Sequence, residues 1–380
     1  MHERLSPELN ISHVAPDRPA VPLGLVVKHY LASATIYGLL LVLLVLNPWF
    51  KSLLQISFKG LSALHVYFCL YGFYLVAALP VLALLRPRSL WGSKNLLIAG
   101  VFLRLARQVL ARLRGGDAGG LEVSYREKHA LMFLLIKLFY GPLMLNSAFG
   151  ELNRCRLLWP QFDWHAILGV LDTGYIFFVS LVFLLDSVLF FIGYHTEAGF
   201  LKNEVRYVET NPLHILVTIA CYAPFSVVAV RLLGPSVYDP YILVLGDFRS
   251  PWTWLLRGAA VLFLTLLTAA SFSLFTKASN LTNRGIVTWG PYRFIRHPGY
   301  LAKNLFWLMT TIPLLIVDPS RPGFSWAGHL FFSFCTLCGF VAWATIYFLR
   351  AITEERFLSR DPEYVAYCQR VKYRFIPGVY

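Results

Sequence analysis

Residues 61–85 read LSALHVYFCLYGFYLVAALPVLALL, a stretch with no charged side chain. A helix rises about 1.5 Å per residue, so this run reaches well past the roughly 30 Å of hydrocarbon in a bilayer. Working outward, the same criterion marks seven more segments: 30–50, 129–149, 166–194, 212–232, 254–275, 301–317 and 327–349. Strand-like alternation is absent, which argues against a membrane barrel. Helices are then the way left to satisfy backbone hydrogen bonds in lipid. The sequence therefore predicts an all-α polytopic transmembrane bundle of about eight spans. The segment 301–317 is short and ends at Asp318-Pro319, which suits a tilted or partly inserted helix.

Composition agrees with this reading. The 380-residue chain is 57% hydrophobic and only 14% charged, whereas soluble chains carry about 25% charged residues. A net charge of +14 invites a nucleic-acid partner, but the spans dispose of it. With the N-terminus inside, the inner loops hold about 24 of the Lys and Arg residues and the outer loops and span ends about 8. Positive-inside bias explains the basicity, so no nucleic acid is expected and both termini are expected to be cytosolic. The first 25 or so residues are polar and lack the apolar core of a cleavable leader, so insertion by the first span is expected. Cys335 and Cys338 have C-x-x-C spacing. They lie in an apolar helix without a second ligand pair, where small-residue packing outweighs metal use.

Three regions differ in character: a polar lead-in at 1–29, a membrane region at 30–210, and a motif-rich region at 211–380. Within the second, NLLIAGVFLRLARQVLARLRG places Arg104, Arg107 and Arg114 close together with apolar residues opposite. That pattern suits an interfacial helix lying on anionic lipid headgroups. Lys137, Asp172 and Asp186 fall inside predicted spans, where charge is costly and is normally paired or functional. The two acids lie within about 40° of one helical face. Pairing with Lys137 is the favoured expectation, and lining an acceptor cavity the other. His195, Glu197 and Glu204 follow in an inner loop, where they could border a cofactor entrance.

The chemistry gathers in the last third. GIVTWGPYRFIRHPGYLAKN, residues 285–304, turns at Gly290-Pro291 and clusters Arg293, Arg296 and His297 before Pro298. Pro298 suits the first turn of a helix, so cations and free amides would meet at one point favourable to a carboxylate or phosphate. Ordinary anchoring by Arg, Tyr and Trp explains the same residues about equally well. Glu354 and Glu355 lie just past the last span, beside an inner leaflet that disfavours carboxylates. Either Arg350, Arg356 or Arg360 neutralises them, or they hold a cationic or hydroxyl-rich ligand. Tyr364 and Tyr367 share a helical face nearby.

Arg296-His297-Pro298-Gly299-Tyr300, followed by Glu354-Glu355 and then Tyr364, Tyr367 and Val371, resembles the C-terminal signature of the isoprenylcysteine carboxyl methyltransferase family. Membrane phospholipid N-methyltransferases share parts of it. The resemblance covers about residues 254–380 and implies a cytosol-facing pocket for S-adenosylmethionine, closed by the C-terminal segment. Carried over, it assigns cofactor contacts to Tyr292, Arg296, His297, Tyr300, Asn304, Glu354, Glu355 and Tyr367. Arg370 becomes the group orienting an anionic acceptor, a lipid or isoprenoid carboxylate entering sideways from the bilayer. The chain departs at Ala302, where the family usually has glycine, and it lacks the glycine-containing motif of the phospholipid enzymes. The closing YCQRVKYRFIPGVY is similar to the end of intramembrane sterol reductases, which implies NADPH, with Arg370, Lys372 and Arg374 near its phosphate. The usual Gly-Asp pair after the motif Tyr is missing. A non-enzymatic lipid-binding or transport scaffold is the third class, though paired broken helices and internal symmetry are not evident.

Overall fold

The computed structural model describes residues 19–115, 120–226, 251–315 and 325–379. It falls into two compact units.

The first unit comprises Met1–Phe149, Phe191–Val208 and Thr282–Gly285. Helix α1 (Leu23–Leu46) ends where Asn47-Pro48 opens the short α2 (Pro48–Leu54). Asn47 caps that helix by accepting from the amides of Trp49 at 3.0 Å and Phe50 at 3.3 Å. Proline at the first helical position sacrifices no bond there. A small hairpin follows, β1 (Ser57–Phe58) against β2 (Leu61–Ser62), turning through Lys59 and Gly60 at φ +48° and +85°. Two positive φ values in a row make the turn match the twist of the strands, and Gly60 adopts one without strain. Helix α3 (Ala63–Leu85) starts on a reciprocal Ser62–His65 capping box. Only Ala63 of α3 is buried, while Phe73, Val76 and Leu84 are at least 72% exposed. An uncharged helix with so little protein around it is suited to lipid.

The unit continues with α4 (Lys94–Leu113), the start of α5 (Tyr125–Leu158) and the end of α6 (Ile167–His195). Helix α4 is the amphipathic segment expected from its arginines, and it stops just before Gly115 at φ +77°. Its Arg104 reaches Glu127 on α5 at 2.7 Å. Strand β3 (Tyr207–Val208) pairs with β4 (Thr282–Asn283), tying a late segment of the chain into this unit. Its core includes Leu44, Phe50, Leu54, Ala63, Leu145 and Phe149.

The second unit comprises Gly150–Phe190, Glu209–Leu281 and Ile286–Tyr380. It holds α7 (Pro212–Ile219), α8 (Pro251–Leu274), α9 (Pro298–Thr311), α10 (Trp326–Leu358) and α11 (Pro362–Arg370). Helices α8 and α9 pack along each other around Ala260, Leu264, Leu267, Ala302 and Phe306, joined by Trp343 and Tyr347 of α10. Ala302 is fully buried here, so the position where glycine was usual fills core space.

Six helices among the described residues (α1, α3, α5, α6, α8 and α10) are long and apolar enough to cross a membrane. The all-α class agrees with the sequence reading, but two of the eight anticipated spans are not among the six. In 212–232 the helix α7 stops at Ile219 and turns follow, and 227–232 lies outside the described residues. In 301–317 the helix stops at Thr311 and tightens into a 3₁₀ turn over Ile312–Leu315. Hydropathy measured the apolar length of these segments, and the turns cut their helices short. The span anticipated at 327–349 runs further than its apolar stretch, continuing unbroken to Leu358.

Candidate functional site

The motif residues of the second unit converge where α9 begins, α10 ends and the C-terminal tail passes between them. Pro298 opens α9, and the preceding His297 sits at φ −127° and ψ 58°, outside helical geometry. A residue before proline is pushed away from the helical region, so the chain enters α9 abruptly. The amides of Arg296 and His297 are not left for a ligand. They donate to the carbonyls of Tyr373 at 3.0 Å and Arg374 at 2.9 Å, so the tail runs along the motif like a short strand. The tail therefore takes up the two amides just ahead of α9.

Glu355, buried, stands at the centre. Arg374 Nε donates to its Oε2 at 2.7 Å, and His297 Nε2 lies 3.1 Å from its Oε1. A carboxylate facing an arginine only accepts, so Nε2 is the protonated nitrogen of His297. Arg296 Nε is 3.3 Å from the same Oε1, an ion pair without hydrogen-bond alignment. The guanidinium of Arg296 also donates to Cys368 Sγ and to the carbonyl of Lys372 at 3.3 and 3.2 Å. Neutralisation of Glu355 therefore comes from Arg296, His297 and Arg374 rather than from the sequence neighbours Arg350, Arg356 or Arg360. Consecutive helical side chains point about 100° apart, which is why adjacency in sequence misled here.

Glu354 is different. Its side chain is 33% exposed, and it accepts one hydrogen bond, from Tyr300 Oη at 2.6 Å. His297 Nδ1 is 3.8 Å away. Burial pushes the Tyr300 phenol well above its ordinary pKa, so it stays a donor. The Tyr300 ring stacks on His297 with centroids 5.4 Å apart and planes 5° from parallel. On its other side, Arg350 lies 5.0 Å from the Tyr300 centroid and 5.9 Å from that of Tyr347. Arg350 donates to Asn280 Oδ1, and Asn280 in turn donates to Tyr222 Oη at 3.0 Å. Asn304 donates from Nδ2 to the Tyr300 carbonyl at 2.8 Å and keeps a buried Oδ1 with no protein partner.

Of the residues singled out from sequence, Arg296, His297, Tyr300, Asn304, Glu354 and Glu355 form one connected group. Tyr292 and Tyr367 join through the backbone, where Tyr367 Oη donates to the Tyr292 carbonyl at 2.6 Å. Tyr364 and Tyr367 are both buried, with Val371 beside them. Arg370 closes α11 with its side chain exposed, outside this group. Sequence reasoning named Arg374 only as a phosphate contact, and it did not place Arg374, Phe375, Tyr347, Tyr222 or Asn280 beside the motif. The aromatic tail RFIPGVY carried a signal for the first two, and the last three depend on tertiary packing alone.

The polar residues at depth pair otherwise than expected. Asp172 meets Arg257 at 2.7 Å, and Asp186 meets Lys303 at 3.3 Å and the Ser271 hydroxyl at 2.5 Å. Lys137 instead lies 3.8 Å from Glu197 in the first unit. The acids do share a side of α6, but each finds a cation on a different chain segment. No family model matches the chain, and no curated protein or solved structure matches it either.

Proposed function

We propose that this chain is an integral membrane methyltransferase that takes its methyl group from S-adenosylmethionine and modifies a lipid or isoprenoid acceptor, a carboxylate by preference. The observation that carries the reading is the division of labour between the paired glutamates. Glu355 is consumed by Arg296, Arg374 and a His297 N–H, which fasten the tail, whereas Glu354 faces outward with one donor on it. An acceptor-rich, aromatic-lined position suits a ligand that brings an ammonium and hydroxyl groups. Glu354 and the unpartnered Asn304 Oδ1 supply acceptors beside the Tyr300 and Tyr347 rings. The fit to the methyl donor is therefore chemically reasonable on this chain's own residues.

When bound, that cofactor supplies an electrophilic methyl group. The protein's part is to hold the acceptor oxygen in line with it and to keep water away, so orientation supplies much of the rate. Tyr300, fixed by Glu354 and stacked on His297, is a rigid wall for this purpose. The tail, bonded to Arg296 and His297, is the closing surface. A carboxylate acceptor is ionised at neutral pH and needs no general base, which suits a cluster whose acids are already engaged. Arg370, exposed at the end of α11, is the proposed guide for an anionic acceptor. The eight-span reading of the sequence puts both termini and this cluster on the cytosolic side, and that side is part of the proposal.

The test is calorimetric binding of S-adenosylmethionine and, separately, NADPH to the full chain in detergent. The methyl donor is expected to bind, and Glu354→Gln to weaken it about 10- to 100-fold, the worth of one charge-assisted hydrogen bond. NADPH binding without methyl-donor binding would overturn this reading in favour of a reductase, for which Arg370 and Lys372 would be the phosphate contacts.

A further inference from the structure

The first unit contains a cavity of about 930 Å³, close to the upper end of the range in which proteins bind small ligands. Its two ends differ in chemistry. One wall is a single face of α3, made by Ala78, Val81, Leu82 and Leu85. These positions follow the i, i+3, i+4, i+7 spacing of one helical stripe. Val81 and Leu85 are also 48% and 66% exposed, so the cavity opens sideways along the helix with the least protein around it.

The opposite end is built from buried charge. Lys94 donates to Glu197 Oε1 at 2.7 Å, and the Val205 amide donates to the same oxygen at 2.9 Å. Lys137 lies 3.8 Å from Glu197 Oε2 and 4.4 Å from the Phe133 ring centroid. Arg284 stands just behind, donating to the carbonyls of Thr196 and Asn203 at 3.0 and 2.9 Å. Burial alone would raise the Glu197 carboxyl, but Lys94, Lys137 and Arg284 outweigh it and hold it at about 2. Burial lowers Lys94 more than its shared carboxylate raises it. Three cations, Lys94, Lys137 and Arg284, thus stand around this one ionised acid. Glu204, the other acid of this wall, is raised by burial, and with it counted three cations still face two acids. The first turn of the twenty-residue helix α4, with Ser93 as cap, also lines this end and adds the positive pole of its dipole.

We propose that this cavity binds an anionic amphiphile, with a phosphate or carboxylate head against Lys94, Lys137 and the α4 N-terminus and an apolar chain along the α3 stripe. The site lies wholly within the first unit and stands whether or not the second unit transfers methyl groups. At one end of the cavity positive charge outnumbers negative, which suits an anionic head, and the continuous apolar wall suits a chain attached to it.

Binding of radiolabelled hexadecyl phosphate to the full chain in phosphatidylcholine nanodiscs tests this. Saturable binding of one molecule per chain is expected, with hexadecanol and inorganic phosphate each competing at least about tenfold more weakly. Lys137→Met should weaken binding about tenfold or more while Lys137→Arg retains it. Val81→Trp, which fills the apolar end from an exposed position, should weaken it without lowering the thermal unfolding midpoint, and it carries the test if Lys137→Met fails to fold. Equal competition by hexadecanol would reduce the observation to partitioning. Equal competition by inorganic phosphate would mean a free-anion pocket, and binding untouched by either variant would place the ligand elsewhere. Each of these three outcomes overturns the proposal.

Discussion

Side chains on consecutive helical positions diverge by about 100°, so Glu354 and Glu355 necessarily meet different surroundings. Glu355 is the buried anchor: removing its charge strands Arg374, Arg296 and His297 in a part-buried cluster. Breaking a buried ion network from one side costs about 3–5 kcal/mol. Glu355→Gln is therefore expected to lower the unfolding midpoint in detergent and to expose residues 372–379 to protease. Glu354→Gln, losing one hydrogen bond to Tyr300, is expected to cost about 1 kcal/mol and leave the tail protected. Equal destabilisation by both variants would contradict the separate roles assigned here. The pair could be picked out of the sequence, since two adjacent acids just past an apolar span need a reason. Which of the two is the anchor could not, because that depends on Arg374, nineteen positions on, and on His297, which precedes another helix.

At the scale of elements, apolar length made the long helices legible: α1, α3, α5, α6, α8 and α10 each cover most of an anticipated span. The ends were less so. Helix α9 stops at Thr311 and α10 runs on past its apolar stretch, and neither boundary is marked by a change in hydropathy. Helix contacts were hidden too, as Gly141 on α5 illustrates. A Cβ there would come within 2.7 Å of His195 Cε1 and 2.9 Å of Tyr67 Oη. The imidazole cannot simply move aside, since its Nδ1 is bonded to the Phe191 carbonyl at 2.9 Å and its ring packs on Phe191. Alanine is favoured over glycine in a helix by about 1 kcal/mol, but overpacking costs about 1–3 kcal/mol. Gly141→Ala is accordingly expected to lower the unfolding midpoint, whereas Gly72→Ala on α3, where nothing lies within 4 Å, should raise it slightly.

Across the whole molecule, charge is scarce and its placement decides acid stability. Glu197 is held at about 2, below its ordinary 4.5. A carboxyl whose pKa is lowered on folding stabilises the protein fully above the unfolded value and loses that contribution as pH falls through the folded one. Its share, on the order of 3 kcal/mol, should therefore vanish between about pH 4.5 and 2. Thermal unfolding across that window should fall steeply in the native chain and less steeply in Glu197→Gln; parallel curves would remove Glu197 from the account. A second property follows from α10, a single rod of 33 residues with Trp326 at one end and the paired glutamates near the other. At about 1.5 Å per residue it is roughly 50 Å long, against roughly 30 Å of hydrocarbon. Such a rod acts as a lever: tilting about ten degrees around its far end would sweep the glutamates through roughly 8 Å. Bilayer thickness adjusts the tilt of a helix that is too long for it. Ligand affinity at Glu354 should accordingly shift when the chain moves between short- and long-acyl lipids, so that the membrane itself works as a gauge coupled to the glutamate end of the helix.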